Sequence, residues 1–268
     1  MTRTPLRASA LLAAAAVGLV ALAGCSTPSA APSSSATTST EDGLGGELTI
    51  FAAASLTAAF DELAAEFEAQ HPGVDVRPIS YDGSSVLATQ LIEGADADVF
   101  ASADEKNLAK VTDAGLAGAG EPFATNVLQI AVSPGDPKGV KTLADLAVPG
   151  LTVVVCAAEV PCGSASHTLL DAAGVTLAPA SEEQNVTAVL SKVASGEADA
   201  GLVYATDVKA AGDAVTGIEI DGADGATNVY PITVMKASKN PKTAKAFVEF
   251  VLSDAGQKVL AGLGFGAP

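Results

Sequence analysis

The chain has 268 residues and a formal charge of −17; 49% of its residues are hydrophobic, yet Trp is absent and aromatics make up only 4%. That is enough apolar side chain for one large domain or two medium lobes, with a core built from Ala, Val, Leu and Ile. The acidity argues against a nucleic-acid binder, which needs a basic patch, and against electrostatic docking on anionic lipid. A small buried anion stays open, because surface carboxylates are screened over roughly 10 Å of salt water.

Arg3 and Arg7 precede an apolar run from Leu11 to Leu22 that is short for a membrane span, so residues 1–24 read as a leader outside the fold. The run ends in Leu22-Ala23-Gly24-Cys25, which resembles a bacterial lipoprotein lipobox. That resemblance implies cleavage before Cys25 and lipidation of it; the cut removes two arginines and no acids. Residues 25–46, rich in Ser, Thr, Ala and Pro, bury too little apolar surface to fold and read as a flexible tether.

Glu47 to Ala52 alternates as a strand does, and Leu56, Phe60, Leu63 and Phe67 then repeat at helical spacing as far as Gln70, where His71-Pro72-Gly73 stops the helix. A strand over Val74–Ile79, a helix capped by Ser84 and a strand over Ala97–Ala101 follow, with a helix after Asp104. This βαβαβα series predicts a parallel sheet wrapped by helices. Strands are predicted again at Val127–Val132, Leu151–Val155, Ala200–Tyr204 and Val229–Met235, and helices at about 164–173, 186–195 and 241–260. Residues 47–125 and 229–268 would form one lobe and residues 126–228 the other, with crossings near Thr125 and Asn228 as a hinge.

Two hydroxyl-rich motifs carry the chemistry: Ala52-Ala53-Ala54-Ser55-Leu56-Thr57 and Tyr81-Asp82-Gly83-Ser84-Ser85. Each follows a strand and opens a helix, where unpaired N–H groups, a helix dipole and a hydroxyl donor coincide. A lone serine there reads as an N-cap; two at matching junctions, with Tyr204 at a further strand end, point to an anion site. Such a site needs donors on all sides and no buried carboxylate nearby. Asp96, Asp98 and Asp104 lack the Ca²⁺-loop pattern and read as solvated loop acids. Glu182 and Glu183 would favour the helix N-terminus that follows them. Outside the cytoplasm Cys156 and Cys162 are free to form a disulfide; without nearby histidines they make a poor zinc set. No Gly-x-Ser-x-Gly elbow or HExxH motif is present, and the neighbours Ser166 and His167 do not face each other on a helix, so a hydrolase is not expected.

Phe51-Ala52-Ala53-Ala54-Ser55-Leu56, the Ser84-Ser85 turn, Ala97-Asp98-Val99-Phe100-Ala101-Ser102-Ala103-Asp104 and Gly201-Leu202-Val203-Tyr204, in that order, resemble the molybdate-binding proteins of bacterial ABC uptake systems. The resemblance implies an α/β, two-lobed periplasmic-binding-protein fold of type II. Each lobe would be a mixed, mostly parallel sheet flanked by helices, with the ligand in the interlobe cleft. It further implies that Ser55 and Ser84 donate hydroxyl and backbone N–H, that Cys162 and Val186 donate backbone N–H, and that Tyr204 donates its phenol. The ligand would be molybdate or tungstate, the molybdenum or tungsten entering only as the oxyanion, and the partner a membrane permease. A monomer without a cofactor or enzymatic activity is expected. The family usually has a small alanine where this chain has Cys162. Other cargoes of the same fold are a further oxyanion such as sulfate, or ferric iron held by tyrosines, for which Tyr81, Tyr204 and Tyr230 are a sparse supply.

Overall fold

The computed structural model describes residues 43–268; the expected leader 1–24, the expected lipidation site Cys25 and the expected tether as far as residue 42 lie outside the described residues. The described chain begins β1 (Gly46–Leu48), β2 (Ile50–Ala53), α1 (Thr57–Gln70), β3 (Val74–Val76), β4 (Ser80–Asp82), α2 (Ser84–Ile92), β5 (Val99–Ala101), α3 (Glu105–Asp113) and β6 (Glu121–Asn126). It continues β7 (Leu128–Val132), β8 (Val153–Cys156), α4 (Pro161–Ala172), β9 (Ser181–Glu183), α5 (Val186–Ala194), β10 (Ala200–Tyr204), α6 (Ala205–Ala211) and β11 (Thr216–Glu219). It closes with β12 (Asn228–Val234), α7 (Pro241–Leu252) and α8 (Asp254–Leu263).

These strands make two five-stranded mixed sheets, ordered β4-β2-β5-β12-β6 and β11-β7-β10-β8-β9, and a small β1-β3 pair. In the first, β2 runs parallel to β4 and β5, while β12 runs antiparallel to β5 and β6. In the second, β8 runs parallel to β9 and β10, while β7 runs antiparallel to β10 and β11. The chain passes from the first sheet to the second between β6 and β7 and returns at β12. The two crossing segments lie side by side, with Asn126 opposite Asn228 in the β6–β12 ladder. β2, β4, β8 and β10 each end at one face, where the next turn or helix begins. That convergence positions the site.

The two cores differ in kind. The first sheet packs its rings on α1, α7 and α8: Phe67 meets Phe247 edge-on at 5.4 Å and Phe60 lies 5.8 Å from Phe123. The second core is almost wholly aliphatic, from Leu128 through Val154 to Val203.

Several expectations are corrected. The strand expected over Glu47–Ala52 divides at Thr49, whose N–H donates to Asp98 Oδ2 at 2.8 Å. Asp98 is thus no solvated loop acid: it is 5% exposed and also accepts from the Ser238 hydroxyl and the Lys239 N–H. Asp104 N-caps α3 through Asn107 N–H. Glu183 lies in β9, bonded to Ser181 and Lys192, rather than serving the α5 N-terminus. The strand expected over Val74–Ile79 stops at Val76 as β3, and the long C-terminal helix divides at Ser253, whose hydroxyl caps α8 through Gly256 N–H. β4, β6, β9, α6 and β11 were not anticipated. Gly46, assigned by composition to the tether, already pairs with Val74.

Candidate functional site

The five residues named from the sequence line one small, tight cavity. Ser55, Ser84, Cys162, Val186 and Tyr204 are each 9% exposed or less. Ser55 sits in the 3-10 turn after β2, and Ser84 is the first residue of α2 after β4. Cys162 is in the first turn of α4, Val186 opens α5, and Tyr204 ends β10. The first sheet supplies two of them and the second sheet three.

The local fold leaves several of these donors to a guest. Gly83, and not Ser84, is the N-cap of α2; Ser84 Oγ instead accepts from Ala103 N–H at 2.9 Å, which leaves the hydroxyl proton to a guest. Pro161 has no N–H, so Cys162 carries the first one of α4. Asn185 caps α5 by accepting from Ala188 N–H at 2.9 Å, and Val186 N–H stays outside that cap. Tyr204 Oη is buried with no hydrogen-bond partner of good geometry, the Tyr230 hydroxyl lying close by. Burial raises the pKa of both phenols, so both keep their protons. Ser55 Oγ lies 3.0 Å from Tyr230 Oη.

No Lys or Arg lines the cavity. Contrary to the sequence expectation, carboxylates are close. Asp82 forms part of the wall, but its Oδ1 accepts from Gly83 N–H at 2.7 Å and from Asn185 Nδ2 at 2.8 Å. The second of these bonds spans the cleft. Behind Tyr204, Asp207 accepts the Tyr204 N–H at 3.0 Å, and burial pushes its pKa up to about 7. Part of the negative charge is therefore tied up in hydrogen bonds, and part is suppressed by protonation.

The lobes touch here. A Cβ on Gly83 would stand 2.0 Å from Gln184 O, across the cleft. Asn107 Nδ2 reaches Glu159 O at 3.3 Å. Cys156 at the end of β8 is joined to Cys162 by a disulfide, which ties the α4 donor to its strand. Gly163 is required beside it, since a Cβ there would stand 1.9 Å from Ala157 O. Among the described residues no group of three or more His, Cys, Asp or Glu could hold a metal ion, and no helix is long and apolar enough to cross a membrane. Sequence reasoning missed Asn126, Asn185, Asp207 and Tyr230; only Tyr230 carried a signal, as one of three tyrosines.

A family model described as bacterial extracellular solute-binding protein matches residues 48–266. "Molybdate-binding protein ModA" of Mycobacterium tuberculosis H37Rv is 48% identical over 223 residues, 82% of this chain and 85% of that protein. The solved substrate-binding domain of a putative molybdenum ABC transporter from Clostridium difficile is 31% identical, with a TM-score of 0.61 over 83% of this chain and 99% of that one. The Azotobacter vinelandii periplasmic molybdate-binding protein shares the fold at 23% identity, with a TM-score of 0.72 over 82% and 99%. This chain belongs to the family of bacterial extracellular solute-binding proteins, and its relatives include molybdate-binding members.

Proposed function

We propose that this protein captures molybdate or tungstate outside the cytoplasm and hands it to an ABC permease, holding the oxyanion between two closing lobes without covalent chemistry. The observation that carries the reading is the convergence of Ser55, Ser84, Cys162, Val186 and Tyr204 on one cavity free of Lys and Arg. The donors these five residues supply favour a fully deprotonated, bulky dianion and leave the smaller sulfate under-coordinated. Hydrogen bonds to a charged group are worth about 1.5–3 kcal/mol each. A handful of them, less desolvation and closure, supports binding near −8 to −12 kcal/mol, roughly sub-micromolar.

On this reading Cys25 carries lipid and the Ser/Thr-rich segment lets a monomeric body reach its permease. Titration calorimetry with molybdate, tungstate, sulfate and phosphate tests the assignment. Tight binding of the first two with weak binding of the others is expected. Equal sulfate binding, or none of molybdate, refutes it.

A further inference from the structure

We propose that Tyr230, which does not line the cavity, is a positioning residue for specificity: held by Asn126, its hydroxyl donates to Ser55 Oγ and so commits the Ser55 proton to the bound anion. The inference rests on the proposed anion site and deepens it.

The argument is one of hydrogen-bond direction. Val127 N–H donates to Asn126 Oδ1 at 3.0 Å, which fixes which end of the amide faces which way. Asn126 Nδ2 then faces Thr206 Oγ1 at 2.7 Å and Tyr230 Oη at 3.4 Å, and an NH₂ group only donates. Tyr230 Oη therefore accepts from Asn126, and its single proton is left to give. Ser55 Oγ, 3.0 Å away, takes it. A serine that accepts from a phenol turns its own proton elsewhere, and the cavity lies on its open side. The ring of Tyr230 is clamped edge-on between Phe123 at 6.2 Å and Phe265 at 5.6 Å, so the hydroxyl cannot swing away. The chain starts at the hinge: Asn126 ends β6 and pairs with Asn228. Without this relay the Ser55 hydroxyl is a rotor that can accept from a protonated oxyanion as readily as it donates to a bare one.

The experiment is a double-mutant cycle by titration calorimetry at pH 8 with molybdate and inorganic phosphate, using Tyr230→Phe, Ser55→Ala and the pair. Tyr230→Phe keeps the ring and its packing. Expected are a fall in molybdate affinity of about tenfold and no comparable fall for phosphate, so that the ratio of the two narrows. In the Ser55→Ala background Tyr230→Phe should change molybdate affinity by less than about twofold. Losses of equal size in both backgrounds, or molybdate and phosphate falling in parallel, would overturn the inference. So would coupling to Tyr204→Phe in place of Ser55→Ala, which would show that Tyr230 gives its proton to the other phenol. Asn126→Leu removes the fixing amide at similar volume and should narrow the same ratio, which keeps the test open if Tyr230→Phe does not fold. If the wild-type protein binds no molybdate, the proposed function and this inference fall together; if it binds and the cycle shows no coupling, only the inference falls.

Discussion

Replacing Gly83 by alanine would test lobe closure through one added carbon. Gly83 has φ −60° and ψ 136°, a conformation open to any residue, so alanine adds no backbone strain. The added Cβ would lie 2.0 Å from Gln184 O, whereas real Cβ contacts are essentially never under 3.0 Å. The lobes must then stand about 1 Å further apart at this point, and a hydrogen bond of ~2.9 Å across the cleft would stretch to nearly 4 Å, beyond useful range. On the proposed site Cys162, Val186 and Tyr204 would reach the anion from the second sheet's side. Losing the equivalent of two such bonds to a charged acceptor costs about 3–6 kcal/mol, or roughly 10²- to 10⁴-fold in affinity. Calorimetry with molybdate reads the loss, and small-angle scattering reads whether the ligand still contracts the molecule. Affinity within threefold of wild type, with normal contraction, would refute the closed-cleft reasoning.

Three further outcomes follow from the same geometry. Ser84→Ala removes a donor and strands the Ala103 N–H that Ser84 Oγ accepts, so calorimetry should show binding weaker by about 1–3 kcal/mol and a melt should show lower stability. Reducing the Cys156–Cys162 bridge, which closes a loop of sequence separation 6, should cost about 2 kcal/mol of stability, read as a drop in urea midpoint with reductant. Asp207 has its pKa raised by burial from 3.8 to about 7, so the folded state binds the extra proton between those values and stability falls as pH rises through that window. At about 1.4 kcal/mol per pH unit the loss across that window is on the order of 4 kcal/mol. Asp207→Asn, which can still accept the Tyr204 N–H, should flatten the pH 4–7 slope in denaturant titrations; an unchanged slope would clear Asp207 of that role.

The strand-to-helix junctions at Ser55 and Ser84 were legible because the signal is local: an apolar run, a small hydroxyl residue, a helix period; at Tyr204 only the strand was legible, and the helix after it was not. The division of Glu47–Ala52 was not, because the group that breaks it, Asp98, lies 49 residues away. Sequence separation likewise hides the partners of the site residues. Ser55 meets Tyr230 across 175 positions, and Asp82 meets Asn185 across 103. Pattern alone shows which residues own protons to give. Where each proton points, and which carboxylate is quieted by a partner, is decided by neighbours that only the folded chain assembles. On the proposed anion site, a cavity walled in part by Asp82 and backed by Asp207 can hold a dianion only if both kinds of control operate, which places the proposed selectivity with Asn126 and Tyr230 behind the wall as much as with the residues that line the cavity.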